Sequence, residues 1–203
     1  MKTGIIGGTF DPVHIAHLII ADRFRESEAL DRCLFIPARV SPFKTDAIRQ
    51  TSPEQRLNML KLALKDNPAF QIDEFELSGD GISYTYKTIE HLREKYPDDE
   101  LSLLIGADQA AEFTNWKNFE SILESVHLKI ADRPACIQNK QDEYKLNKAI
   151  QDLKIYGTKI SLLEAPLLQV SSTEIRDRAG NGLSIKYLVP EKLEQYILEN
   201  SLY

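Results

Sequence analysis

The sequence predicts an α/β fold: a doubly wound, mostly parallel sheet with helices on both faces and a small helical C-terminal end. Three observations carry that expectation. Short apolar runs alternate with longer amphipathic ones along all 203 residues, the pattern of successive βαβ crossovers. Runs such as Leu34-Phe35-Ile36 and Leu103-Leu104-Ile105 are apolar at consecutive positions, as strands covered on both faces are. No internal repeat, low-complexity tract or Gly/Ser-rich linker divides the chain, so 1–203 is read as one domain.

The elements follow in order. Gly4-Ile5-Ile6 makes Lys2–Ile6 a buried strand, and Gly7-Gly8 then allow a turn that residues with a Cβ would resist. Pro12 stands near a helix start, and Ile15, Leu18, Ile19 and Phe24 give Ile15–Glu28 its apolar stripe. Further strands are expected at Arg32–Ile36, Phe70–Ile72, Leu101–Ile105, His127–Ala131 and Lys159–Leu163. Between and after them, helices are expected at Pro53–Lys65, Tyr84–Tyr96, Asn118–Ser125, Glu143–Leu153, Ser172–Ala179 and Pro190–Glu199. Ser83 is a good N-cap for Tyr84–Tyr96, and Ser171 or Ser172 caps the helix at 172, with Glu174 near the capping-box position. The polar stretch Gln138–Lys148 reads as a solvated connection or helix face. Ligands on such open sheets sit beyond the carboxyl ends of the strands, here after Ile6, Ile36, Ile105 and Leu163.

Composition narrows the function classes. Hydrophobic content of 42% and charged content of 28% are those of a soluble globular protein. A net charge of −6 argues against a nucleic-acid binder, which would carry a basic stripe. No stretch reaches the roughly 18–20 apolar residues of a membrane span, and the start of the chain is too short in apolar residues for a signal peptide. Cys33 and Cys136 offer no disulfide framework and fit a reducing compartment. The expectation is a cytoplasmic protein with no nucleic-acid or membrane partner, for which a homo-oligomer is compatible with the sequence.

The chemistry concentrates in Gly7-Gly8-Thr9-Phe10-Asp11-Pro12-Val13-His14-Ile15-Ala16-His17. A strand ending in a glycine turn that feeds a helix leaves backbone N–H groups free beside a positive helix terminus, a phosphate-binding arrangement. His14 and His17 are three apart, so on a helix they share a face at about 5–6 Å between Cβ atoms. Two imidazoles there can donate hydrogen bonds to charge developing on a phosphoryl group. With only His91 and His127 left and the cysteines isolated, no protein metal site is expected. Downstream, the helix start at Ser83-Tyr84-Thr85 can hold a carboxylate on unsatisfied N–H groups without an arginine. Gly106 permits a close approach, and Asp108 can accept from ribose hydroxyls.

The eleven-residue string resembles the nucleotidyltransferase superfamily, with its Gly-x-Phe-Asp-like turn followed by His/Thr-x-Gly-His. Its form is closest to the bacterial nicotinate mononucleotide adenylyltransferases. Ala16 departs from the family, standing where a glycine is usual. The loop Pro37-Ala38-Arg39-Val40-Ser41-Pro42-Phe43-Lys44 resembles the family's Pro-x-x-x-Pro-Pro-His-Lys, with Ser41 and Phe43 as departures. The resemblance implies a Rossmann-like fold and adenylyl transfer from ATP to nicotinate mononucleotide, giving nicotinate adenine dinucleotide and pyrophosphate. It implies Gly7, Gly8, Thr9, Phe10, His14, His17, Gly106, Asp108, Ser171, Ser172, Thr173 and Arg176 at ATP, with His14, His17, Lys44 and Arg176 neutralising phosphates. Lys44 is the expected phosphate point charge, with Arg56 a second candidate, and either Arg39 or Lys44 replaces the donor lost at Phe43. Ser83, Tyr84, Thr85, Trp116, Arg133 and Lys44 are expected at the mononucleotide, Trp116 as a stacking platform. Mg²⁺ would ride on the ATP phosphates, needing few protein ligands. The rivals are adenylyl or cytidylyl transfer to another phosphate acceptor such as phosphopantetheine, and a nucleotide-binding regulator without turnover.

Overall fold

The computed structural model describes residues 1–42, 51–131, 140–166 and 168–203, with the backbone alone over 140–143. Its elements are β1 (Lys2–Gly8), α1 (Ile15–Ser27), β2 (Arg32–Pro37), α2 (Pro53–Leu64), β3 (Phe70–Ile72), α3 (Phe75–Ser78), α4 (Thr85–Lys95) and β4 (Glu100–Gly106). There follow α5 (Ala107–Ala111), a 3-10 turn over Phe113–Asn115, α6 (Phe119–Ser125), β5 (His127–Ala131), α7 (Lys140–Lys154), β6 (Ile160–Leu163), α8 (Ser172–Gly180) and α9 (Glu191–Glu199). Every expected strand and helix forms. The short α3, α5 and the 3-10 turn are additions, too brief to show a helical period. Most of the polar stretch at 138–148 belongs to α7.

The strands form one sheet in the order β3-β2-β1-β4-β5-β6, all pairs parallel. Side chains alternate across it. Ile6, Phe35 and Leu104 join Phe24, Met59, Ile175, Leu193 and Ile197 on the face covered by α1, α2, α8 and α9. Ile5, Leu34, Leu103, Ile105 and Ile130 join Ile89, Leu92, Phe113, Ile122 and Leu153 on the other face. That is the doubly wound α/β architecture, and it explains why Leu34-Phe35-Ile36 and Leu103-Leu104-Ile105 are apolar at consecutive positions.

The order reverses between β1 and β4, and there the sheet splits. The β1–β4 ladder ends at Ile6 opposite Leu104. Beyond it Gly7-Gly8 stay with Ile36-Pro37 of β2, whereas Ile105-Gly106 stay with Ile130-Ala131 of β5. A crevice opens at the carboxyl ends, as expected at a switch point. This explains why β1 and β4 each run past the last apolar residue: the extra residues pair with outer neighbours only.

The β3 edge is fastened by Asp73, which is 4% exposed and accepts from Lys95 Nζ at 2.8 Å and from the Phe75 N–H at 3.0 Å. Burial alone would push its carboxyl up, but these hydrogen bonds and the charges of Lys95 and His91 outweigh it and hold it below the usual range. A carboxyl with a lower folded than unfolded pKa adds stability above the unfolded value, lost as pH falls through the folded one. Asp73→Asn should therefore flatten the acid limb of a melting-temperature profile between about pH 5 and 2. An unchanged acid limb would show that Asp73 contributes nothing there.

Candidate active site

The turn after β1 is built differently from the glycine turn expected from sequence. Gly7 and Gly8 are strand residues, and the chain reverses at Phe10, with φ +50°, and at a cis Asp11–Pro12 bond. Gly8 is needed for contact rather than for a special dihedral. A Cβ there would lie 2.9 Å from the Phe10 ring. A Cβ on Gly7 would meet nothing within 4 Å, so this backbone faces the open crevice. The Phe10 ring is buried against Phe35 and edge-on to His17, with centroids 5.7 and 5.3 Å away. Phe10 can therefore offer a nucleotide only its backbone.

His14 is the N-cap of α1 in extended conformation, not a helical residue, which corrects the expected shared helix face. His17 occupies the third helical position, and its Nδ1 accepts from the His14 N–H at 3.2 Å. The two rings lie 3.7 Å apart between centroids. An Nδ1 that accepts puts the proton of neutral His17 on Nε2, a ready donor. Ala16 is buried within α1, so its methyl is absorbed by the core. The Ile15 N–H donates to Leu188 O at 2.9 Å, which gives the Tyr187–Pro190 segment its packing role beside the histidines.

The start of α8 comes to the same turn. Ser171 is the N-cap, accepting from the Glu174 N–H at 3.1 Å, and the Ser172 hydroxyl donates to Pro12 O at 2.9 Å. Arg176 donates to Asp11 O at 2.7 Å and to the Thr173 hydroxyl at 3.2 Å. The Asp11 carboxylate accepts from Thr51 Oγ1 at 2.5 Å and Tyr203 OH at 2.7 Å. Burial, with Asp11 beside it, pushes the Tyr203 phenol well above its usual range, so it stays a donor. The sequence reading missed Tyr203 and Thr51. No local signal marks a residue whose partner is 192 positions away.

On the opposite wall, Asp108 lies in the first turn of α5 and is exposed. Its Oδ1 sits 2.4 Å from where a Cβ on Gly106 would be, so the glycine makes room for this carboxylate. Trp116 is half-buried, its ring 4.8 Å from that of Phe113. Lys117 lies over the rings of Tyr84 and Tyr86 at 5.0 and 5.9 Å, joining the Trp116 segment to the start of α4.

At that start the cap differs from expectation. Tyr84 is the N-cap and Thr85 the first helical residue. Ser83 is engaged elsewhere: its hydroxyl accepts from the Arg39 N–H at 2.9 Å, while its N–H donates to Val40 O at 2.8 Å. Burial raises the Glu76 carboxyl above its ordinary range, against the hydroxyls of Thr88 and Ser83. The N–H groups of Thr85 and Tyr86 have no acceptor among the described residues.

Arg56 is no surface phosphate ligand. It is fully buried, donating to the carbonyls of Thr9 at 2.8 Å, Ala38 at 2.7 Å and Arg39 at 3.5 Å. It thus clamps the loop after β1 to the loop after β2. A lysine lacks the planar fork needed for such divergent acceptors. Arg56→Lys should cost about 2–3 kcal/mol of unfolding free energy, since hydrogen bonds to charged groups contribute roughly 1.5–3 kcal/mol. Urea melts measure it, and an unaltered midpoint would contradict the clamp. Lys44 and Phe43, like Arg133, lie outside the described residues.

A family model described as cytidylyltransferase-like matches residues 5–178. A protein of Dictyoglomus turgidum named probable nicotinate-nucleotide adenylyltransferase is 41% identical over 203 residues, all of this chain and 96% of that protein. One of the same name from Geobacter sulfurreducens is 40% identical over 216 residues, covering 100% of this chain and 98% of its own. The Plasmodium falciparum nicotinic acid mononucleotide adenylyltransferase complexed with NaAD superposes with a TM-score of 0.77 at 20% identity, covering 100% and 98% of the two chains. At that identity the superposition speaks to the fold.

Proposed function

The chain belongs to the cytidylyltransferase-like family, among the nicotinate-nucleotide adenylyltransferases, and on that premise we propose its reaction and the roles of its residues. It transfers the adenylyl group of ATP to nicotinate mononucleotide, giving nicotinate adenine dinucleotide and pyrophosphate, a step of NAD biosynthesis. One observation carries the assignment of the site: the crevice where β1 and β4 part has the His14–His17 turn and the α8 start on one side, and Gly106-Asp108 on the other.

The phosphate of the mononucleotide is already anionic, so its oxygen attacks the α-phosphorus of ATP in line without a general base. Catalysis then reduces to positioning and charge stabilisation. His17 Nε2–H and His14 stabilise charge on the transferring phosphoryl group. Arg176, held by Asp11 O and Thr173, faces the other phosphates with Ser171, Ser172 and Thr173. Gly7, Gly8, Thr9 and Phe10 contribute backbone, and Asp108 accepts from the ribose. Ser83 positions the start of α4, whose Thr85 and Tyr86 N–H groups receive the nicotinate carboxylate beside Tyr84 and Trp116. Lys44 and Arg133 complete the anion contacts in this reading.

Mg²⁺ fits this donor set as an ion carried on the ATP phosphates. The carboxylate inside the turn, Asp11, already accepts from Thr51 and Tyr203, the other groups on that side of the crevice are imidazoles, hydroxyls and a guanidinium, and the Asp108 carboxylate stands on the opposite wall, assigned to the ribose. Bound there, Mg²⁺ would neutralise phosphate charge and orient the leaving pyrophosphate. We further read 1–203 as one nucleotidyltransferase domain acting in the cytoplasm without nucleic acid. No helix among the described residues is long and apolar enough to cross a membrane.

The test is pyrophosphate release from ATP with a panel of acceptors. Release should be fastest with nicotinate mononucleotide, and label from the α-phosphate should appear in the dinucleotide. Release with phosphopantetheine and not with a mononucleotide would overturn the reading, and so would nucleotide binding without turnover on any acceptor.

A further inference from the structure

Asp11 is a carboxylate in a place that disfavours one. It is 8% exposed and lies in the turn between β1 and α1, where the phosphates of ATP are read to bind. Burial costs it hydration, and its charge has the sign of the ligand's. Its donors are two neutral hydroxyls, Thr51 Oγ1 at 2.5 Å and Tyr203 OH at 2.7 Å. Arg176 donates to the carbonyl of the same residue, at 2.7 Å, and forms no ion pair with its carboxylate. An apolar side chain of similar volume is often as stabilising as a buried charge or more so. The reason for this carboxylate must be sought in what it holds in place.

The two hydroxyls come from parts of the chain far from the turn. Thr51 is 3% exposed and immediately precedes Ser52, the N-cap of α2. Tyr203 follows Leu202, which is buried and whose N–H donates to Ile197 O at 3.0 Å, tying this segment to the end of α9. The Tyr203 hydroxyl also lies 3.7 Å from Sδ of Met59, a fully buried residue of α2. Both hydroxyls reach Oδ1, so the ends of α2 and α9 grip one oxygen of Asp11. The backbone of that turn in turn carries the phosphate groups. Asp11 O accepts from Arg176, Pro12 O accepts from the Ser172 hydroxyl, and His14 begins α1.

We propose that Tyr203, with Thr51, is a positioning residue for adenylyl transfer: holding the Asp11 carboxylate fixes the carbonyl that aims Arg176 at the ATP phosphates and keeps that carboxylate from pairing with Arg176 itself. The inference rests on the reading that Arg176 meets those phosphates. Without the Tyr203 hydroxyl the carboxylate keeps one donor, and rotation of its side chain brings it toward the guanidinium that already sits on its own carbonyl. An Arg176 drawn to Asp11 is displaced from ATP and has its charge neutralised. The ring of the mononucleotide, read to sit at the start of α4, is not disturbed.

The experiment measures kcat, KM for ATP, KM for nicotinate mononucleotide and the melting temperature, with every assay run well below the lowest melting temperature. Tyr203→Phe removes only the hydroxyl. It should lower kcat/KM for ATP at least ~10-fold, because small misplacements of a positioned group cost rate steeply, with KM for the mononucleotide within about threefold of wild type. Thr51→Val should act in the same direction, whereas Thr51→Ser, which keeps a hydroxyl, should stay near wild type. In an Arg176→Ala background Tyr203→Phe should cost less than about twofold, since residues that act through one group are not additive. A Tyr203→Phe protein that loses melting temperature alone overturns the proposal, as does a kinetic loss equally large without Arg176. So does a Thr51→Ser protein as slow as Thr51→Val. If Thr51→Val does not fold, the Tyr203 and Arg176 cycle decides by itself. Turnover at the wild-type rate in Arg176→Ala would refute the reading of Arg176, and the proposal with it. A wild type that transfers no adenylyl group would instead refute the reading of the function.

Discussion

Replacing His17 with alanine is expected to lower kcat at least ~100-fold while leaving the fold intact. The magnitude is that of removing one donor to developing charge in a preorganised site, about 2.7–4 kcal/mol. The geometry supports a donor of that kind. His17 Nδ1 is occupied by the His14 N–H, so the ring is fixed and Nε2 carries its hydrogen. The Phe10 edge and the His14 ring hold it on two sides. Little stability should be lost, because His17 is only partly buried and its partner N–H sits at a helix terminus. Single-turnover kinetics with ATP and nicotinate mononucleotide, beside a thermal melt, check both halves. Turnover near wild type in a folded variant would remove His17 from the mechanism.

The second large effect expected is selectivity: kcat/KM for nicotinate mononucleotide should exceed that for the nicotinamide form at least ~100-fold. Each tenfold corresponds to about 1.4 kcal/mol, so the preference requires about 2.8 kcal/mol, within reach of hydrogen bonds to a charged acceptor. Two N–H groups at the start of α4, those of Thr85 and Tyr86, have no acceptor among the described residues. The helix terminus adds partial positive charge. An amide presents its own NH₂ to these donors, leaving buried groups unpaired, the situation in which enzymes discriminate most strongly. Competing both mononucleotides against limiting ATP measures the ratio directly. Equal specificity constants would mean that the acid is not recognised at this helix start.

Much of the site was legible because its parts are local. The string from Gly7 to His17 places two histidines on one turn whatever the rest of the chain does, and Ser171 caps α8 as its type and position dictate. Strands Phe70–Ile72 and His127–Ala131 match the expected bounds residue for residue. Short segments were less legible. α3 and α5 contain too few turns to show a period, yet α3 carries Glu76 and α5 carries Asp108.

The sequence by itself determined the fold class, the crossing pattern and the residues of the phosphate turn, because periodicity and turn chemistry act over a few neighbouring residues. Tertiary structure alone decided what those residues are bonded to. Arg56 looks from sequence like a cation for phosphate and becomes a buried clamp on Thr9, Ala38 and Arg39. Ser83 looks like a cap and is drawn off by Arg39 and Val40. Asp11 is held by Thr51 and Tyr203, and Gly7-Gly8 end a strand because β2 extends beside them. The reason is common to all of them. A polar group chooses its partner by the free energy of leaving water, and which partners are within reach is set by how distant segments pack.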